Sequence, residues 1–371
     1  MFKRIGVAAL VSAALVSGQV MAVTVIGGGA TIPAKLYTGS GDSILPATFK
    51  YAAAGSGYGK QAFLTNDPMR LGQTGTVHFA ASDSTLTASE LLTYSRQYGA
   101  SYGPLIQLPS VITSVAIPYR KSGQTALNLS DNQLCEVFSG SKTTWGSLLG
   151  TSDTTAIRIV FQKEASGDTE ILTRHLNSIC PTQFAIDARF TVARIPYSSI
   201  PVNWVAVEYD QDVVQAVNAV DGSIGYAGPD NVDATSNAVV ARINGIQPTN
   251  PYVLAALAYL SPPVTFSDAG NPARWAPVVA NPTQGYKLAG YTNFIFGQCY
   301  KDAAVAAEVK AFLAAHYSIP GNNVATQAHK FIAMSYAWKN AVIANFVTNT
   351  TGNNLDINNP SVCNGIGRPL N

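Results

Sequence analysis

One pattern recurs along this chain and limits its fold more than any other: a short apolar or β-branched run, a turn of small residues, then apolar positions at helical spacing. Residues 23–26 run into Gly27-Gly28-Gly29-Ala30-Thr31-Ile32-Pro33, a glycine turn followed by proline at a first helical position. Residues 157–161 lead through Ala165-Ser166-Gly167-Asp168-Thr169-Glu170 into Ile171, Leu172, His175, Leu176 and Ile179. Thr87-Ala88-Ser89-Glu90 and Ser130-Asp131-Asn132-Gln133 read as capping boxes, and Gly140 stops the second of these helices. Long helical patterns are expected over residues 303–316 and 328–347. Strands alternating with helices imply an α/β protein with mixed, mainly parallel sheets.

A chain of 371 residues is too long for one ordinary core and fits two domains. No long proline-rich or charged linker separates them, so short crossings are expected near residues 105–114 and 285–293. The expected division is residues 23–108 with 289–371 as one lobe and 109–288 as the other.

The N-terminus reads as a secretory signal: Lys3 and Arg4, an apolar stretch over residues 5–16, and Val20-Met21-Ala22, with cleavage after Ala22. The stretch is shorter than the roughly 20 residues that span a bilayer. No cysteine follows before Cys135, so no lipid-anchor acceptor is expected, and the product should be periplasmic or secreted, without a membrane span. Four cysteines in an exported chain form two disulfides by one of three pairings. Cys135 with Cys180 and Cys299 with Cys363 keep each pair inside one lobe. A zinc site is disfavoured because no C-x-x-C spacing occurs, and neither metal nor other cofactor is expected. Losing Lys3 and Arg4 from the 23 bases leaves 21, equal to the 21 acids, which argues against a nucleic-acid partner.

Four segments offer backbone N–H groups and small hydroxyls where helices begin: Gly29-Ala30-Thr31, Gly55-Ser56-Gly57, Ser82-Asp83-Ser84 and Ser166-Gly167-Asp168-Thr169. Such turns bind oxyanions. Asp83 repels an anion unless the ligand keeps a proton. Phosphate can donate an O–H to a carboxylate and fully ionised sulfate cannot, so Asp83 would select phosphate. Gly55-Ser56-Gly57-Tyr58-Gly59-Lys60 is not a P-loop, because Ala54 stands where glycine is needed and Gln61 where a hydroxyl is needed.

At Gly28-Gly-Gly-Ala-Thr-Ile-Pro33, Gly55-Ser-Gly-Tyr-Gly-Lys60, Val77-His-Phe-Ala-Ala-Ser-Asp-Ser84, Leu108-Pro-Ser-Val111, Leu134-Cys-Glu-Val-Phe-Ser-Gly140, Ser166-Gly167, Gly297-Gln-Cys-Tyr300 and Val362-Cys-Asn-Gly365, the sequence resembles the DING proteins. These are relatives of the phosphate-binding component of bacterial phosphate ABC transporters. The resemblance implies a two-lobe periplasmic-binding-protein (type II) fold that encloses inorganic phosphate between its lobes. Its ligands would be Thr31, Ile32 through its backbone N–H, Ser56, Asp83, Ser166 and Gly167. A monomer is expected, with a phosphate ABC transporter or a secretion machinery as partner.

Three departures from the family pattern stand out. Val25-Ile26-Gly27-Gly28 replaces the Asp-Ile-Asn-Gly of the family name. The family arginine that pairs with phosphate and the aspartate falls at Gln162, so a charge-assisted contact worth about 1.5–3 kcal/mol is lost unless Lys163 or Arg194 reaches the cleft. Asp168 replaces threonine, beside Thr169, where a carboxylate can cap helix N–H groups. If Asp168 faces Asp83 instead, one carboxyl should hold its proton, an arrangement suited to acid–base catalysis.

Two other functions compete. Some DING-like proteins are secreted alkaline phosphatases, and phosphomonoester hydrolysis would use Asp83 and Asp168 with Thr31, Ser56 or Ser166 as nucleophile. The four histidines, His78, His175, His316 and His329, are too scattered to read as a metal cluster. An extracellular interaction protein with a degenerate phosphate site is the remaining alternative.

Overall fold

The computed structural model describes residues 23–39, 41–195 and 199–370; the expected signal peptide, residues 1–22, lies outside them. Two sheets organise the fold. The larger has six strands, in spatial order Ile332–Ala333, Leu105–Ser114, Ala289–Gly297, Phe79–Ser82, Val25–Gly29 and Phe49–Ala52. The smaller has four, in order Tyr119–Arg120, Ser223–Gly225, Arg158–Gln162 and Val205–Val207. A two-stranded pair, Asn128–Leu129 with Arg242–Ile243, lies beside it.

The architecture is the expected two-lobe α/β fold, but the larger sheet is less parallel than the alternation of strands and helices implies. Val25–Gly29 pairs in parallel with Phe49–Ala52 and with Phe79–Ser82. Ala289–Gly297, returning from the far end of the chain, enters antiparallel between Phe79–Ser82 and Leu105–Ser114. The chain stays in this sheet to Ser114 and joins the smaller one at Tyr119, a few residues past the 108/109 boundary read from the sequence.

The glycine run is strand rather than turn. A Cβ on Gly27 would lie 2.3 Å from the Phe79 ring, and one on Gly28 would lie 2.4 Å from the Ala52 carbonyl oxygen. Glycine is needed here because neighbouring strands approach closely, not because the chain reverses. The expected helix over residues 328–347 begins only at Tyr336 and passes into one π turn at Ile343–Val347. Lys330 takes φ +61°, and Ile332–Ala333 adds an antiparallel edge strand to Leu105–Ser114. Edge pairing therefore overrides the local helical period. Elsewhere local signals hold: both capping boxes form, at Thr87/Glu90 and Ser130/Gln133, and the helix Ala303–His316 keeps its expected bounds.

Both disulfides join the expected cysteines, Cys135–Cys180 and Cys299–Cys363. The first ties the helix Asp131–Ser139 to the C-terminal end of Gly167–Ile179, the helix whose N-terminus enters the cleft. Among the described residues no helix is long and apolar enough to cross a membrane.

Closing a loop of 45 residues removes chain entropy worth about 4 kcal/mol from the unfolded state. The double variant Cys135→Ser, Cys180→Ser should lose about 2–4 kcal/mol in urea unfolding and keep its secondary structure by circular dichroism.

Candidate functional site

The larger sheet delivers three groups to the space between the lobes. The strand Val25–Gly29 ends at Gly29, whose φ is +135° and where an added Cβ would lie 2.1 Å from the Ala81 carbonyl oxygen, so no side chain fits. Thr31 follows, and its Oγ1 is buried with no hydrogen-bond partner among the described residues. Ile32 is buried and presents its side chain to Gly228 of the opposite lobe. Gly55, at φ +103°, starts the helix Ser56–Thr65 and places Ser56 at its first turn. Asp83 follows the strand Phe79–Ser82. Its Oδ2 accepts the Ser56 hydroxyl at 3.2 Å, its Oδ1 accepts the Thr292 hydroxyl at 2.5 Å, and its N–H donates to Ser56 Oγ at 3.1 Å.

The smaller sheet supplies the facing wall. Ser166 caps the helix Gly167–Ile179, accepting the Thr169 N–H at 3.2 Å, and its hydroxyl contacts Thr169 Oγ1 at 3.0 Å. Thr169 Oγ1 in turn meets the Tyr226 hydroxyl at 2.7 Å. Gly167 sits directly on Asp83: an added Cβ would fall 2.1 Å from the Asp83 Cβ. Gln162, at the end of Arg158–Gln162, uses its amide nitrogen twice, donating to Asp168 Oδ2 at 2.7 Å and to Asp210 Oδ1. Asp210 opens the helix Asp210–Ala219 and also accepts the Gly228 N–H at 3.1 Å.

Three carboxyls thus share a buried cleft, and burial is the largest influence on each. It raises Asp83 from 3.8 to about 7; the Asp210 charge raises it further, while the Thr292 and Ser56 hydrogen bonds oppose the rise. Asp168 is pushed well above the usual carboxyl range by burial, then by the charge of Asp210 and the hydrogen bond to it. Burial raises Asp210 too, and the hydrogen bond from Asp168 opposes that. Burial thus pushes both members of the Asp168–Asp210 pair upward, Asp168 the further. Among the described residues no Lys or Arg side chain hydrogen-bonds to the three carboxyls. Lys35 comes nearest in effect, its charge lowering Asp210, and its ammonium donates to Asn231 Oδ1 at 2.8 Å.

Around these acids stand oxyanion donors: the first N–H groups of the helices Ser56–Thr65 and Gly167–Ile179, which have no acceptor within their own helix, and the hydroxyls of Thr31, Ser56 and Ser166. A cavity of about 320 Å³, lined by Thr31, Gly55, Gln162 and Ser166 at its inner end, opens past Tyr58 and Arg70.

The fold brings together Thr31, Ile32, Ser56, Asp83, Gln162, Ser166, Gly167, Asp168 and Thr169. Lys163 is not among them: it follows Gln162 on the pleat and is exposed. Arg194 is buried elsewhere, stacked 4.4 Å over Trp204 and donating to the Ser139 carbonyl at 3.0 Å. Neither replaces the arginine. Asp168 is not the helix cap, because Ser166 holds that position and the Asp168 carboxyl turns to Gln162 and Asp210. The histidines lie outside the cleft; His78 accepts the Ile26 N–H at 2.9 Å, and burial lowers it to about 4. Asp210, Tyr226 and Thr292 escape the sequence reading. For Asp210 the only local signal is a carboxylate at a helix start; Tyr226 and Thr292 carry none.

A family model described as "PBP superfamily domain" matches residues 42–318. "Alkaline phosphatase L" of Pseudomonas aeruginosa is 56% identical over 371 residues, covering 100% of each chain. The solved phosphate binding protein of Stenotrophomonas maltophilia is 44% identical with a TM-score of 0.87, covering 94% of this chain and 100% of its own. A structure titled as a high affinity periplasmic phosphate-binding protein (PfluDING) bound with phosphate at pH 8.5 is 40% identical with a TM-score of 0.85, covering 94% and 100%.

Two consequences can be measured. Gly167→Ala should hold the lobes apart, giving a larger radius of gyration by small-angle scattering and faster proteolysis at the lobe crossings. A carboxyl whose pKa is higher folded than unfolded costs stability as pH rises from about 4 to about 7, and the cost then stays. Asp83→Asn should therefore stabilise the ligand-free protein at pH 8, by up to about 4 kcal/mol, and change little at pH 4.

Proposed function

The chain belongs to the PBP superfamily and, within it, to the DING phosphate-binding proteins, and on that footing we propose that it is an exported protein that encloses inorganic phosphate between its lobes. The observation that carries this reading is the Asp83 carboxyl, buried where the lobes meet and surrounded by hydroxyls and helix N-termini. The phosphate oxygens take N–H donors from the turns at Ile32, Ser56 and Gly167 and hydroxyls from Thr31, Ser56 and Ser166. Asp83 accepts the P–O–H. Sulfate brings no proton, so it would leave a buried acceptor facing an anion, at a cost of several kcal/mol.

Closing the lobes removes this site from water, which strengthens each hydrogen bond to the anion. An exported binder of this kind serves phosphate uptake, with a transporter as acceptor, or scavenging outside the cell. The equal numbers of acids and bases after signal removal fit a small-anion ligand better than nucleic acid.

A second reading, hydrolysis of phosphomonoesters, has a specific observation in its favour. Ser56 donates its hydroxyl to Asp83, a carboxyl at about 7, which is the pairing of a nucleophile with a general base. In that reaction Ser56 Oγ would bond to phosphorus as the ester P–O bond breaks, Asp83 would take the hydroxyl proton and pass it to the departing alkoxide, and water would then cleave the Ser56 phosphoester to return the serine and release phosphate. Ser56 is fully buried and also accepts the Asp83 N–H, both of which restrain its oxygen as a nucleophile. Binding is therefore the preferred function.

Calorimetric titration of stripped protein with phosphate and with sulfate, run beside an ester-hydrolysis assay, separates the readings. The binder predicts phosphate binding without sulfate binding, weakened at least a hundredfold in Asp83→Ala, and no turnover. Turnover lost in both Asp83→Ala and Ser56→Ala would establish the phosphatase, and no phosphate binding together with no turnover would leave neither.

A further inference from the structure

Resting on the phosphate reading above, we infer that the cleft also takes a phosphate monoester whose organic part carries a positive charge, an amino-alcohol phosphate by class. Its phosphoryl group lies among the donors already described, and its ammonium lies at the cavity mouth with Tyr58, Tyr209, Glu164 and Glu208.

Size is the first observation. The cavity that begins at Thr31, Gly55, Gln162 and Ser166 holds about 320 Å³. A water molecule's share of liquid volume is about 30 Å³, so a phosphorus and its oxygens fill a minor part of this space. Pockets for organic ligands run from about 300 to 1,000 Å³. On the inner wall the Thr31 hydroxyl oxygen is buried without a hydrogen-bond partner among the described residues. The end of the cavity nearest the anion-binding turns therefore still has a polar group for a ligand to satisfy.

Charge at the mouth is the second. Tyr58, Arg70, Glu164, Glu208 and Tyr209 line it and are all exposed. Arg70 is already ion-paired, its Nε 3.1 Å from Asp67 Oδ2. The side chains of Glu164 and Glu208 make no hydrogen bond or ion pair with the described residues. Two free carboxylates at the entrance of an anion site oppose the entry of a bare anion. They suit a ligand that brings its own cation, which the carboxylates attract by charge and the two phenol rings by cation–π interaction.

Asp83 restricts the class further. A monoester keeps an ionisable P–O–H for that carboxyl, as inorganic phosphate does. A diester has none and, like sulfate, would leave the acceptor unpaired.

Aminoethylphosphonate tests the inference without interference from hydrolysis, because its phosphorus is bonded to carbon. Propylphosphonate is its uncharged isostere. Calorimetric titration of stripped protein at pH 6 and low salt, where a phosphonate keeps its P–O–H and surface charges are least screened, compares the two with inorganic phosphate. Aminoethylphosphonate should bind at least about fivefold tighter than propylphosphonate, the size of an exposed ion pair with a cation–π contact. In the double variant Glu164→Gln, Glu208→Gln, both positions being exposed, that preference should shrink at least about threefold while inorganic phosphate binds as before. A smaller preference in the wild type, a smaller change in the variant, or exclusion of both phosphonates by a protein that binds inorganic phosphate would overturn the inference and leave the phosphate reading intact. Failure to bind inorganic phosphate would overturn that reading and this inference with it.

Discussion

The seating of Gly167 on Asp83 is the contact from which the chemistry of this protein follows. Any side chain at 167 would place its Cβ 2.1 Å from the Asp83 Cβ, so only glycine lets the helix Gly167–Ile179 bring its N-terminus to the carboxyl of the other lobe. Burial follows from that contact, and the raised affinity of Asp83 for a proton follows from burial. Gly228 against Ile32, and Gly55 and Gly57 against Ala165, repeat the arrangement around it. The lobes meet through glycines, backbone against side chain, and the helix N-termini are thereby aimed into the cleft.

A cleft for an anion that holds three carboxyls, none of them bonded to a cation among the described residues, needs a physical account. The cost is reduced in three ways. Burial raises both Asp168 and Asp210, which favours the uncharged form of the pair. The Gln162 amide and the Gly228 N–H donate to the charge that remains. Helix N-termini contribute positive potential without a side chain to neutralise it.

Local chemistry was legible in the sequence where a few consecutive residues decide the outcome. The capping boxes, the helix Ala303–His316 and the turn at Ser166-Gly167 are of this kind. The glycine run at 27–29 was legible as important but not in its role, because Phe79 and Ala52, which require it, are distant in the chain. The antiparallel entry of Ala289–Gly297 and the edge strand Ile332–Ala333 depend on partners in Leu105–Ser114, so no local period announces them. The candidate site divides likewise. Thr31, Ser56, Asp83 and Ser166 lie in recognisable turns, whereas Thr292 joins Asp83 across 209 residues and Asp210 joins Gln162 across 48. Arg194 could be suspected of entering the cleft until Trp204 is seen beneath it.

The central claim is that phosphate lies between the lobes with a hydrogen bond to Asp83. A crystal structure of the mature protein grown with phosphate tests it most directly. The account predicts a tetrahedral anion between Ser56 and Ser166 with one oxygen within hydrogen-bond distance of an Asp83 carboxyl oxygen. A cleft that stays without the anion at saturating phosphate, with Gly167 still seated on Asp83, would contradict it.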